Sequence, residues 1–279
     1  MSDYFTFNGI DSTDFGLQLV NNNQLKKSIS PSKQTNTEKV TGKDGLMIFD
    51  QTYDTRNIPL KCYLTDTSLS NVRKMMTWLG ERYSQELILS YQPYKMYMAL
   101  FQNELSMEEY MNGGIFTLNF VSYVPFAKSA YSTMDIENGL YYDTSFLYDS
   151  GLYYAEAWAF QYEWLSITVD TDMLIYNASN IDGCTPNIII NGSATTLEIT
   201  HYYDVARTQI KDFIKYGGFA GELIIDGGVR NTFLDGTVDN ETFQGEYFEL
   251  EKESDNYFTL SGTGLNITSL QWDFNYIYL

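Results

Sequence analysis

Gly221-Glu222-Leu223-Ile224-Ile225-Asp226-Gly227-Gly228 reads as a short apolar strand running straight into a glycine turn. It is too short for a helix and is bounded on both sides by chain breakers. The same grammar recurs on either side of it. Leu165 to Val169, Ile188 to Ile190, Thr196 to Thr200, Tyr247 to Leu250, Tyr257 to Leu260 and Ser269 to Phe274 all read as strands. Asp182-Gly183, Asn191-Gly192, Asp235-Gly236 and Ser261-Gly262-Thr263-Gly264 punctuate them. Short strands at this spacing predict a β-sandwich. Asp204 to Tyr216 allows a helical face through Val205, Ile210, Phe213 and Ile214 as well as alternation, and is taken as strand.

The first half is also mainly β. Tyr4-Phe5-Thr6-Phe7 leads into an Asn8-Gly9 turn, and Phe15 to Val20 resumes a strand. Leu46 to Phe49 and Ile58 to Leu64 read as strands around a polar turn, Asp50 to Asp54. One helix stands out: Thr67 or Ser68 caps it, Leu69, Val72, Met75, Met76 and Leu79 recur at three- and four-residue steps, and Gly80 ends it. Leu87 to Tyr91 and Tyr94 to Leu100 follow as strands around Gln92-Pro93, Met111 to Gly114 reads as a turn, and Ile115 to Phe120 alternates. Between Asn21 and Gly45 apolar periodicity is lost, and Lys26, Lys27, Lys33, Lys39 and Lys43 predominate, which suits an extended arm lying across a neighbour. A solvated loop is the plainer alternative.

The expected organisation is an N-terminal β-sandwich-like domain with one helix and an extended arm over 1–130, an aromatic linker over 131–157, and a β-sandwich over 158–279. The linker holds a six-residue repeat, from Gly139-Leu140-Tyr141-Tyr142 through Ser145-Phe146-Leu147-Tyr148 to Gly151-Leu152-Tyr153-Tyr154. Three such units are too few for a solenoid. Charge divides along the same line. Residues 1–130 carry 12 Lys and Arg against 13 Asp and Glu, a net of −1, whereas residues 131–279 carry 5 against 23, a net of −18. A near-neutral half packs against copies of itself with little repulsion, and an acidic half suits water or a basic partner.

The composition excludes several kinds of chemistry. A net charge of −19 argues against nucleic acid as a partner. His201 is the single histidine, so histidine triads and multi-histidine metal sites are ruled out. No phosphate-cradling glycine loop occurs, and Asp170-Thr171-Asp172 lacks the rest of a calcium loop. No catalytic, cofactor or metal site is therefore expected. Glu246, Glu249, Glu251 and Glu253 are the candidates for a paired-carboxylate glycosidase, with a charged solvent face as the plainer reading. The start of the chain has no signal-peptide pattern and no run approaches a membrane span, so cytosolic synthesis, reduced Cys62 and Cys184, and unmodified Asn-x-Ser/Thr sites are expected.

The residues together resemble the siphophage distal tail proteins, the hub at the tip of a long non-contractile phage tail. The likeness rests on Phe5-x-Phe7-Asn8-Gly9, Phe15-Gly16-Leu17, Gly42-Lys43-Asp44-Gly45, Arg56-Asn57-Ile58, Trp78-Leu79 and Pro93-Tyr94-Lys95-Met96-Tyr97. In the second half it rests on Thr185-Pro186-Asn187-Ile188, Asn191-Gly192, Gly221 to Asp226 and Gly245-Glu246-Tyr247-Phe248-Glu249-Leu250. Their order and spacing carry it, rather than any single motif. The resemblance implies a homohexameric ring closed by the first domain and a galectin-like second domain outside it. It also implies a virion location at the distal end of the tail, with the tail tube protein on one side and the tail-associated fibre or lysin protein on the other. Such hubs often support receptor-binding proteins, and DNA passes through the ring without being read. In that setting Lys26, Lys27, Lys33, Lys39 and Lys43 are the expected subunit-contacting residues. Galectins bind sugar through a His-x-Asn-Pro-Arg strand that His201-Tyr202-Tyr203-Asp204 does not reproduce, so sugar binding does not carry over. The competing reading is a carbohydrate-binding module that recognises host cell-wall polysaccharide through exposed Tyr and Trp.

Overall fold

The computed structural model describes residues 3–20, 31–102, 115–137 and 161–279, which divide into two units between Ala130 and Tyr131. In the first unit, β1 (Phe5–Phe7), β2 (Ile10–Asp11), β3 (Leu17–Leu19), β4 (Lys33–Glu38), β5 (Met47–Tyr53) and β6 (Arg56–Leu64) precede the helix α1 (Leu69–Leu79). After it come β7 (Gln85–Leu89), β8 (Gln92–Phe101), β9 (Ile115–Ser122) and β10 (Ala127–Ser129). One sheet runs in the order β2-β1-β7-β8-β9-β6-β3, with β10 paired to β8. Period-two alternation is clearest along β6, where Ile58, Leu60, Cys62 and Leu64 are buried while Asn57, Pro59 and Tyr63 are exposed.

α1 begins where the sequence predicts. Ser68 Oγ accepts from the Asn71 N–H at 3.3 Å, and Gly80 closes the last turn through a bond to the Met76 carbonyl. Its buried face, Val72, Met75, Trp78 and Leu79, meets Phe5 and Phe7 of β1. The Trp78 ring stacks on Phe15 at 4.5 Å and on Phe5 at 5.8 Å, and its Nε1 donates to the Phe7 carbonyl at 2.9 Å. Phe15 reaches that position because Ser12–Phe15 is a 3-10 turn, where the sequence suggested a strand beginning at Phe15. Gly16 ends the turn at φ 70°, and a Cβ there would lie 2.6 Å from Thr65 Oγ1.

The second unit comprises α2 (Thr133–Glu137), β11 (Glu163–Ile167), β12 (Thr171–Asn177), β13 (Asn187–Ala194), β14 (Thr196–Tyr202), β15 (Ile210–Tyr216) and β16 (Phe219–Asp226). Then follow β17 (Asn231–Leu234), β18 (Thr237–Val238), β19 (Gln244–Gly245), β20 (Ser254–Thr263) and β21 (Asn266–Asp273). They form two antiparallel sheets, β11-β21-β13-β16-β17-β18 and β12-β20-β14-β15-β19. Their apolar faces meet in a common core. Trp272 from the first sheet lies 4.5 Å from Phe258 of the second, and Phe248 packs against both. Ile188, Ile190, Leu223 and Ile225 face Ile175, Leu197 and Ile199 within this sandwich and all are buried.

Several boundaries differ from the sequence reading. The turn after β7 falls at Ser90–Tyr91, so Gln92 and Pro93 open β8. Asp50 to Tyr53 continue β5 instead of turning. β12, β17 and α2 were not read from sequence, and Tyr247 to Leu250 contributes only an isolated bridge between Leu250 and Cys184. Asp204 to Tyr216 resolves into a turn followed by β15. The turn at Met111 to Gly114 and most of the proposed linker lie outside the described residues.

Candidate functional site

The arm read from sequence is, over its described part, an antiparallel hairpin. Among the described residues, β4 and β5 pair only with each other, from Lys33 opposite Tyr53 to Glu38 opposite Met47. The register slips between Asn36 and Thr37, which adds twist to the ribbon. Its base is tied down: the Asp54 N–H donates to the Ser32 carbonyl at 2.8 Å, and the Tyr53 ring meets Phe126 edge-on at 5.1 Å. Every residue of β4 is exposed, as are all of β5 except Tyr53.

The returning strand of this ribbon opens on an apolar run. Leu46, Met47, Ile48 and Phe49 are 63, 53, 59 and 60% exposed. Ile48 lies opposite Thr37 and Asp50 opposite Asn36, so Phe49 is the extra residue at the register slip, where regular alternation of faces is broken. A two-stranded ribbon is marginal by itself, and four consecutive exposed apolar residues differ from the scattered single ones that are normal on a surface. The sequence signal was present, since Leu46 to Phe49 is an unbroken apolar run with no alternation to hide one side of it.

Of the five lysines singled out, Lys33 lies at the hairpin base with its Nζ 5.0 Å from the Tyr53 ring centre, and Lys39 and Lys43 lie in the loop joining the strands. Lys26 and Lys27 lie outside the described residues. The carboxylates weighed for hydrolysis are not on one strand face. Glu251 pairs with Lys211 at 3.2 Å, Glu251 and Glu253 line one cleft, and the Glu249 carbonyl accepts from Lys211 Nζ at 3.4 Å. His201 is 1% exposed and stacks on Phe258 at 4.3 Å. Burial pushes its pKa down to about 4, with Lys211 acting in the same direction and Asn256 against it. Among the described residues, no group of three His, Cys, Asp or Glu side chains is placed to hold a metal, and no helix is long and apolar enough to cross a membrane.

Known proteins resemble this chain at the level of domain and fold. Residues 10–122 match the family model of the phage tail protein RIFT-related domain. Over 100% of both chains the structure superposes on the Dit protein (gp 19.1) of phage SPP1, described as a paradigm of hub adsorption apparatus in phages infecting Gram-positive hosts, with a TM-score of 0.67 and 15% identity. A chain of the phage P2 baseplate in its activated conformation with Ca aligns with a TM-score of 0.48 and 10% identity, over 99% of this chain and 98% of that one. No curated protein sequence matches. Residues 10–122 thus match the phage tail protein RIFT-related domain, and the chain along its whole length shares the fold of the phage SPP1 Dit protein.

Proposed function

We infer that this chain is the structural hub of a siphophage tail tip, acting without catalysis. Six copies close into a ring that joins the tail tube to the tail-associated fibre or lysin protein. The observation that carries the reading is the fold shared with phage SPP1 Dit along both whole chains, together with the phage tail domain at residues 10–122. The exposed hairpin supports it from a separate direction. A hub must bind copies of itself, and β4–β5 offers an apolar ribbon with Leu46 to Phe49 bare in a single copy. Docked on the next copy, that ribbon would cover apolar side chains among Leu46 to Phe49, with Lys33, Lys39 and Lys43 on the same hairpin and its loop; Lys26 and Lys27 precede it in sequence. The near-neutral charge of residues 1–130 permits such self-packing.

Solution mass tests the ring. Sedimentation or light scattering of the purified chain is expected to give six times 32.1 kDa, with six-fold rings by negative-stain microscopy. A monomer retained on cell-wall polysaccharide would instead support a carbohydrate-binding module. The hairpin's part is tested by Ile48→Asp with Phe49→Asp. Both side chains are exposed, so the melting temperature should barely move while the oligomer falls to smaller species. A hexamer undisturbed by this double change removes the hairpin from the interface.

A further inference from the structure

The second unit holds a cleft of about 340 Å³ at the end of the β12-β20-β14 sheet. Four tyrosines line it, Tyr176, Tyr202, Tyr203 and Tyr257, and the register of β14 on β20 sets Tyr202 directly opposite Tyr257. Three carboxylates, Glu251, Glu253 and Asp255, share its rim and all three are exposed.

The rim is built rather than slack. Buried Asn256 accepts from the Glu251 N–H at 2.9 Å and donates to the Ser254 carbonyl at 3.2 Å, which fixes the turn between them. Glu253 sits at φ 48°, a left-handed conformation that costs a non-glycine residue energy, and its N–H is held by the Ser179 carbonyl at 3.0 Å. A carboxylate platform already ordered in this way loses little entropy on binding.

One corner of the cleft shows which chemistry it accepts. Lys211 Nζ pairs with Glu251 at 3.2 Å and lies 5.9 Å from the centre of the Tyr203 ring. A cation is therefore already held between a carboxylate and an aromatic face. Glu253 and Asp255 have no ion pair among the described residues, so the remaining rim carries two carboxylates that no cation balances. His201, which also lines the cleft, adds no charge at neutral pH because burial keeps it unprotonated. Neutral sugars can donate hydroxyls to these carboxylates but leave their charge unbalanced, whereas a cation both pairs with and neutralises them, and anionic wall polymers are repelled by a half-chain of net charge −18.

We propose that this cleft receives a lysine or arginine side chain from a basic segment of a partner protein. The cationic head pairs with Glu253 and Asp255, and the aliphatic stem lies along the tyrosine faces. The proposal is independent of ring formation by the first unit.

Calorimetry with hexalysine and hexaarginine peptides on the full chain tests it, with maltohexaose as a neutral sugar probe. Both peptides are expected to bind, and maltohexaose is not. Glu253→Gln with Asp255→Asn should weaken peptide binding roughly tenfold, whereas Glu222→Gln with Glu241→Gln, an equal charge change at exposed acids outside the cleft, should alter it less than about twofold. Equal losses in the two double variants would show a diffuse acidic field and overturn the site, as would absence of peptide binding. Binding of maltohexaose that depends on Glu253 and Asp255 would overturn it in favour of a sugar site. Carbodiimide cross-linking of hexalysine to the unmodified chain gives a readout free of any folding defect. Cross-links should concentrate on Glu251, Glu253 and Asp255, and an even spread over the acids of residues 131–279 contradicts the proposal.

Discussion

Trp78 and His201 are each a buried ring bearing polar nitrogen in an apolar setting. Trp78 Nε1 is the buried donor to the Phe7 carbonyl, and its ring joins α1 to β1 and to the 3-10 turn through Phe5 and Phe15. Trp78→Phe leaves that carbonyl without its indole partner and the ring site underfilled, at a cost of about 1–3 kcal/mol for the unsatisfied group alone. A lower urea midpoint with an unchanged slope is the expected result, and an unshifted midpoint would remove Trp78 from the account of the core. His201 makes the stability pH-dependent. Its folded pKa of about 4 lies below the ordinary value of 6.5, so the unfolded chain takes up the proton first as pH falls. Stability from this group is full above pH 6.5 and declines towards pH 4, by up to about 3 kcal/mol. The Asp212 carboxylate lies 3.8 Å from Nδ1, and the Asn256 side chain is the group that opposes the shift. Unfolding free energies of the native chain and of His201→Gln, measured between these pH values, should diverge in slope. Parallel curves would mean that His201 is protonated as readily folded as unfolded.

Elements differ in how far they stand alone, and the β4–β5 hairpin is the extreme case. β13 is paired on both sides, with β16 and β21, and contributes Ile188 and Ile190 to a closed core, whereas among the described residues β4 and β5 have only each other. Hydrogen exchange in dilute, dissociated protein should therefore be fast across Lys33–Glu38 and Met47–Tyr53 and slow across Asn187–Ala194. On assembly the hairpin amides should gain protection; hairpin amides as slow as those of β13 before assembly would show that the ribbon needs no partner. The same contrast explains what was legible in the sequence. Strands such as β6 and β16 show themselves because alternate residues face a core, and α1 because its cap and apolar spacing agree. The hairpin lacks a buried face, so its polar strand β4 read as featureless arm. β12 is less legible because it opens on polar Thr171 and Asp172 right after Asp170, although Met173 and Ile175 just beyond are buried. The tyrosine cleft was illegible for another reason. Tyr202 and Tyr257 become neighbours only through the register of β14 on β20, and pairing between strands distant in sequence leaves no local signal.

At the scale of the whole molecule, charge separates two kinds of association that salt moves in opposite directions. Residues 1–130 carry a net −1, and their hairpin bares the apolar run Leu46 to Phe49, so self-association through that run would owe little to attraction between unlike charges. Residues 131–279 carry −18, and any self-assembly brings several such halves together and makes them repel. Added salt screens that repulsion while leaving apolar burial intact, the Debye length falling from about 10 Å at 0.1 M to about 3 Å at 1 M. The oligomer is therefore expected to persist or tighten across this range, while binding of a basic peptide at the cleft weakens. An arm acting mainly through Lys26, Lys27, Lys33, Lys39 and Lys43 against a neighbour's carboxylates would behave like the peptide and release subunits as salt rises. Sedimentation velocity at low and high salt distinguishes the two. Dissociation at high salt would transfer the contact from Leu46 to Phe49 to the lysines, and stability there would leave the lysines to set register alone.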